Sequence, residues 1–238
     1  MLLALGTIAY YLFFEELGTP LYRRLGAVLA WRGKMSLAAA NDVGRQCGVT
    51  VAQFGVLLVV LHLAGIPLRD LFHGNGIAGR VGLGLLLGVG EYSVSATLCK
   101  FAISVAVAFS ASEESDWASL MRSGWMGSYF RCRASIGLPA TLVLASIYVL
   151  GEEMMFRGAI LGSLLVNYGP APALAGSIGA FVAVQFASMP SVRAAMFPII
   201  GAIVIGVVHG LVYLDTRDLT ALCTAHVLCI VLPLIVYG

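Results

Sequence analysis

The segment Gly151-Glu152-Glu153-Met154-Met155-Phe156-Arg157-Gly158 sets two adjacent carboxyl groups and a guanidinium inside an otherwise apolar stretch. Ionisable groups at membrane depth are expensive and persist where they pair or act. Adjacent helical residues diverge by about 100 degrees, whereas residues four apart share a face. Glu153 is therefore expected to pair with Arg157 and Glu152 to be left free, the two glutamates being unable to point at one partner. A carboxylate without a counter-charge in apolar surroundings suits general-base activation of water, so hydrolysis is the natural chemistry. The bland alternative is a structural ion cluster joining helices. His226, in Thr220-Ala221-Leu222-Cys223-Thr224-Ala225-His226-Val227-Leu228-Cys229-Ile230, is the second candidate. An intramembrane imidazole can ligate a metal, shuttle a proton, donate to a developing oxyanion or make a plain helix contact. Beside two glutamates, the functional reading is preferred.

The elements that must position these groups are membrane helices. The 238 residues are 60% hydrophobic and 11% charged, and the mean hydropathy is +0.94. Soluble domains carry about 25% charge, so an ordinary soluble domain is excluded. Apolar segments fall near residues 1–14, 49–68, 81–110, 135–168, 171–189, 194–214 and 218–237, each judged against the roughly 20 residues that cross hydrocarbon. They lack the alternation of a membrane barrel. The expected fold is all-α, a polytopic membrane helical bundle of about seven transmembrane helices (six to eight). It forms one membrane domain over residues 1–238, with no linker and no internal repeat. The first segment has no charged leader and no cleavage signal and reads as a retained span. Residues 15–48 and 110–133 mix charges with apolar and aromatic groups, which suits helices lying at the membrane surface.

Smaller signals complete the reading. Gly82, Gly84, Gly88 and Gly90, and Gly201, Gly206 and Gly210, permit close helix contact. Glu91 and Lys100 stand inside the third apolar stretch and are expected to face the bundle interior or reach an interface. His209 reads as a helix contact, His62 and His73 as structural or interfacial, and Glu15-Glu16, at a span end with no arginine four residues on, as solvated. The five cysteines form no CxxC or Cys/His cluster and read as apolar fillers. Arg23, Arg24, Arg32, Lys34 and Arg45, then Arg122, Arg131 and Arg133, make two basic connections, against Arg69, Arg80 and Arg217 on the opposite side. The positive-inside rule places the richer connections in the cytoplasm, the N-terminus outside and the C-terminus inside. A net charge of +2 distributed in this way serves topology and implies no nucleic-acid partner.

Glu152-Glu153-x3-Arg157 resembles the EExxxR motif of the CAAX-protease and bacteriocin-processing (CPBP, or Abi) membrane proteins, the group that includes Ras-converting CAAX endopeptidases. Gly206-x3-Gly210-Leu211-Val212-Tyr213-Leu214-Asp215-Thr216, then Leu219 and Ala225-His226, resembles that family's last two helices, so residues 135–238 carry the motif core. The resemblance implies that Glu152 activates water, that Glu153 and Arg157 support it, and that His226 serves as oxyanion donor or ligand. Two positions depart from the pattern. Gln185 stands where the family's FxxxH motif has its histidine, in Phe181-Val182-Ala183-Val184-Gln185, and Ile230 replaces a polar residue four after His226. A glutamine can hydrogen-bond a water but carries no proton at neutral pH and is a poor zinc ligand. No metal is therefore assigned with certainty; zinc stays open only because the family is often labelled metalloprotease, and a metal-free water activated by glutamate suits Glu152, Gln185 and His226 better. The expected function is an intramembrane glutamate-dependent endopeptidase acting on a peptide or membrane-protein substrate. The alternative is a catalytically impaired pseudoprotease that scaffolds a membrane partner protein. A transporter, suggested by the intramembrane charges, ranks third because the paired broken helices of transporters are missing. The expected location is the bilayer of a bacterial plasma membrane, crossed several times.

Overall fold

Long runs of Leu, Val, Ala and Gly can satisfy their backbone polar groups in lipid only as helices or closed barrels. The computed structural model is helical, with no strand among its described residues, which omit Met1, Lys34, Gly74, Asn75, residues 110–121, Ser123, Ser188, Pro190 and Gly238. Helix α1 spans Leu2–Gly33 and α2 Leu37–Ala64; α3 spans Ile77–Phe109 and α4 Gly124–Glu153. The chain then continues without a break as a π-helical segment, Met154–Leu161, into α5, Gly162–Tyr168. Helix α6 is Pro170–Ala187, α7 Val192–Thr216 and α8 Thr220–Val236.

Among the described residues five stretches are long and apolar enough to cross a membrane: Leu37–Ala64, Ile77–Val105, Met126–Tyr168, Pro170–Ala187 and Ala194–Thr216, with Thr220–Val236 a shorter apolar helix. Leu86, Phe101 and Val166 expose most of their side chains, as lipid-facing residues do. The polytopic all-α bundle is as expected, but its front differs in detail. Residues 15–48 form no separate surface helix: α1 runs on to Gly33 and α2 already begins at Leu37, with Ser36 Oγ capping it by accepting the Ala39 amide at 3.2 Å. The cause is packing. Gly44 of α2 lies against the backbone of Tyr22 and Gly26, and Gly48 against the Tyr22 ring, so α1 and α2 bury each other where two surface helices would have met headgroups. The Glu15-Glu16 side chains, and Glu113, Glu114, Asp116, Trp117 and the Trp125 side chain, lie outside the described residues. Nearby Met126 and Tyr129 are buried, so this part of α4 packs into the bundle and is not a surface anchor.

The path Met126–Tyr168 has 43 residues, about 65 Å at 1.5 Å per residue, twice the hydrocarbon thickness of about 30 Å. It is broken to fit. Gly137 adopts φ 78°, ψ 164°, a conformation open in practice only to glycine, and Pro139 follows it. The second irregularity is the π-helical segment directly after Glu153, a feature that recurs at functional sites because it re-aims side chains. Ser177 Oγ of α6 donates to the Phe156 carbonyl of that segment at 2.8 Å, stapling the two together.

The glycine rows divide. Gly84 and Gly88 lie against Ala221, Thr224 and Ala225 of α8, and Gly206 and Gly210 against Ile178 and Leu174 of α6, whereas Gly82, Gly90 and Gly201 have nothing within 4 Å of an added Cβ. Polar contacts gather at the two ends of the bundle. At one, Arg131 pairs with Asp42 at 2.9 Å, Arg45 donates to Ser128, Arg122 to the Tyr237 carbonyl and Arg133 to that of Leu234. At the other, Arg80 meets the buried Asp218 at 2.6 Å and the Leu219 amide donates to the Leu71 carbonyl.

Candidate functional site

Six helical elements converge on a buried polar cluster inside the bundle. Glu152 and Glu153 end α4, Arg157 follows in the π-helical segment, Gln185 comes from α6, His209 from α7, His226 from α8 and Glu91 from α3. Each is 6% exposed or less. Gly151, next to the pair, touches Gln53 and Phe54 of α2, and Gly158 touches Leu71, so the carboxylates are carried on a helix pressed into its neighbours.

Glu153 is the hub. Arg157 Nη1 donates to its Oε1 at 3.2 Å, the contact expected from their spacing of four. His226 Nδ1 reaches the same oxygen at 2.6 Å, and His209 Nδ1 lies 3.0 Å from Oε2. The Arg157 guanidinium also stacks over the Phe181 ring, 4.6 Å from its centroid. Phe181 in turn packs on Phe156 and edge-on to His226. Ser177, Phe181 and Gln185 recur every four residues and form one buried stripe of α6, so one helical face supplies the staple, the ring under Arg157 and the amide at Glu152.

Glu152 turns the other way, as adjacent helical residues must, but it is not left free. Gln185 Nε2 donates to its Oε1 at 3.2 Å, Tyr148 one turn back hydrogen-bonds it, and His226 Nε2 is 3.7 Å from its Oε2. The expectation that the two glutamates cannot address one partner fails for a simple reason: an imidazole has a nitrogen on each side, and His226 stands between the diverging carboxylates with one nitrogen toward each.

The structure thus brings together Glu152, Glu153, Arg157, Gln185 and His226. It also adds two groups that sequence reasoning underweighted. His209 does make a helix contact, but the contact is with Glu153 on one side and, through Nε2 at 3.1 Å, with Glu91 on the other. Glu91 faces the bundle interior, one of its two expected positions; Lys100 is exposed. The only sequence signal for the Glu91–His209 pair was an isolated charge and an isolated imidazole in two apolar stretches. Ile230 is buried in a second apolar cluster with Met126, Tyr129 and Leu234, where it offers the site no polar atom.

Among the described residues no three His, Cys, Asp or Glu side chains are arranged to hold a metal ion. His226 Nδ1 and His209 Nε2 are hydrogen-bonded to carboxylates, His209 Nδ1 is in ion-pair contact with Glu153, and Gln185 presents its amide N–H to Glu152, so the residues present do not fit the three-ligand set of a catalytic zinc.

Residues 134–232 match the protein family described as Rce1-like, type II CAAX prenyl endopeptidase Rce1-like. The resemblance carried by Glu152, Glu153, Arg157 and His226 is borne out at the level of that family, an intramembrane protease family, and the chain is an integral, multi-pass membrane protein. No curated protein and no solved structure matches it.

Proposed function

We propose that this chain is an intramembrane endopeptidase in which Glu152 and His226 activate water against a peptide bond, with Glu153 and Arg157 as their support. The observation that carries the proposal is the position of His226, with Nδ1 on Glu153 at 2.6 Å and Nε2 facing Glu152 at 3.7 Å. An ionised carboxylate only accepts hydrogen bonds, so Glu153 fixes the ring proton at Nδ1 and leaves Nε2 toward Glu152. A gap of 3.7 Å is too long for a direct hydrogen bond. It suits two groups that share one small polar partner.

The chemistry follows from these atoms. Water held between Glu152 Oε2 and His226 Nε2 gives up a proton to one of them as its oxygen adds to the scissile carbonyl. The protonated group then faces the oxyanion as a donor and passes its proton to the leaving amine as the C–N bond breaks. Gln185 holds Glu152 by its other oxygen. Low dielectric strengthens each of these interactions, and the surrounding apolar side chains exclude bulk water. The substrate is a peptide or membrane protein reaching the site within the bilayer; Gln185 stands two residues from the end of α6, at the arginine-rich end of the bundle.

Two specific features favour a second reading. The Gln185 amide occupies Glu152 Oε1 and cannot move a proton, and the apolar Ile230 leaves the oxyanion without a second donor. A site so altered suits a pseudoprotease that grips a membrane partner without cutting it. Mass spectrometry of membranes from matched cells expressing wild type or Glu152→Gln, scored for new peptide termini, separates the two. Termini present only with wild type establish proteolysis through Glu152 and name the substrate. Identical termini, with both proteins folded and equally abundant, select the pseudoprotease.

A further inference from the structure

The least explained group in the bundle is His209. It is fully buried, belongs to none of the recognised motifs, and joins two carboxylates that lie 62 residues apart along the chain, hydrogen-bonding Glu91 through Nε2 at 3.1 Å and making an ion-pair contact with Glu153 Oε2 through Nδ1 at 3.0 Å, outside the alignment of a hydrogen bond. An α3–α7 contact needs no such group, since an apolar pair joins two helices in lipid without placing a carboxylate and an imidazole at that depth. What the pair does is visible at Glu153. Oε1 already receives Arg157 and His226, and Oε2 is the face that His209 covers. The hub carboxylate is thereby held from both sides by groups on different elements, which fixes its plane. His226 takes its own orientation from that plane through a 2.6 Å contact.

We infer that Glu91 and His209 are positioning residues, a buried carboxylate–imidazole brace behind Glu153 that fixes the tautomer and ring plane of His226, and that this accounts for their cost at membrane depth. The inference rests on the reading of Glu152 and His226 as the reacting pair for its catalytic consequence, but not for its structural one. Donor and acceptor roles follow from the residue types. Glu91 is an acceptor when ionised, so His209 Nε2 donates to it, and Nδ1, in ion-pair contact with Glu153 Oε2, faces a carboxylate that favours a proton there too, whereas His226 needs one on Nδ1 alone. The charged or titratable neighbours of His209 are Glu91 from α3, Glu153 with Arg157 behind it, and the His226 ring, 6.0 Å away centroid to centroid.

The test reads the rings directly. The full chain, labelled with 15N-histidine and held in lipid nanodiscs, contains four histidines, assigned by single substitution. In wild type, His209 is expected with both ring nitrogens protonated and His226 as a single tautomer protonated at Nδ1. In Glu91→Gln and His209→Gln, the His226 signal is expected to split between tautomers. Once a cleaved peptide is in hand, kcat is expected to fall about tenfold or more with KM little changed, in the sense of the losses seen when the carboxylate orienting a catalytic imidazole is disabled. The near-isosteric Glu91→Gln keeps the test usable if His209→Gln fails to fold. A neutral His209 in wild type overturns the inference. So does a Glu91→Gln protein whose melting temperature falls while the His226 tautomer stays single, because that is a helix joint and no more. If no peptide is cleaved by wild type, the protease reading fails while the tautomer measurement still decides the brace.

Discussion

At the scale of single residues, the two glutamates differ in what their loss exposes. Glu152→Gln keeps an acceptor for the Gln185 amide and removes only the group proposed to take the proton. New peptide termini should vanish, a drop of about a hundredfold or more for a general base, while the thermal midpoint in detergent stays close to wild type. Glu153→Gln leaves Arg157 and the His209 imidazole without their carboxylate, and a buried ionic partner deserted in this way costs about 3–5 kcal/mol. Its midpoint and yield should fall together with activity, and Arg157→Ala should behave alike. Full stability in all three variants with equal loss of activity would falsify this division of labour. Gln185→His is the reverse experiment: an imidazole restored beside Glu152 can move a proton where the amide cannot, so turnover of a cleaved peptide should rise about tenfold, and an unchanged rate means that Gln185 only holds Glu152 in place. The Glu153–Arg157 contact was legible because a spacing of four is a local rule that the helix obeys even through its π-helical turn. Of the partners of Glu152, Tyr148 stands four residues back, within the same local rule, but Gln185 and His226 lie 33 and 74 positions away, and no periodicity reports which helix comes to face which. The same distance hid Glu91–His209, separated by 118 positions.

At the scale of the elements, the helices were readable from hydropathy, but their interruptions were not. Gly137 followed by Pro139 is a breaker signal that the hydropathy pattern passes over, and Met154–Leu161 carries no residue type that marks a π-helical turn. The glycines show the limit most clearly. Gly82, Gly84, Gly88 and Gly90 read as one packing row, yet only Gly84 and Gly88 meet another helix. Helical geometry explains the split, since residues four apart share a face and residues two apart do not. A substitution pair tests it. Gly88→Leu forces a side chain into the Ala225 backbone of α8, the helix that carries His226 one residue further on, and overpacking of this kind costs about 1–3 kcal/mol. Gly90→Leu points into open space at the lipid face and should shift the thermal midpoint little. Equal effects at the two positions would show that α3 meets α8 through some other face.

At the scale of the whole molecule, the bundle sorts its charges by end. Arg45 of early α2 and Arg122, Arg131 and Arg133 around the start of α4 lie together with the C-terminal end of α8, and Arg80, His73 and Asp218 close the other. The grouping by end is the one the positive-inside rule drew from the sequence, whereas the pairing partners were not legible there. At the second end, Asp218 is a latch: it accepts the Thr220 amide at 2.8 Å, the backbone amide of His73, and Arg80 at 2.6 Å. It thus ties the start of α3 to the start of α8, eight residues before His226. Burial alone would raise the pKa of this carboxyl, but the amide donors of His73 and Thr220, with Arg80 beside them, outweigh it and hold the value below the ordinary aspartate range. The sign follows directly: a carboxyl depressed in the fold contributes stability that is fully present above its unfolded pKa, about 4, and is lost as pH falls through the lower folded value. Thermal unfolding in nanodiscs between pH 7 and pH 3 should therefore lose stability on the acid side of pH 4. Asp218→Asn should start from a lower midpoint at pH 7 and give up part of that acid dependence. Hydrogen exchange at the His73 and Leu219 amides should quicken over the same range in wild type and be fast throughout in the variant; amides that stay protected in Asp218→Asn would mean that the Leu219–Leu71 backbone bond closes this end of the bundle without the latch.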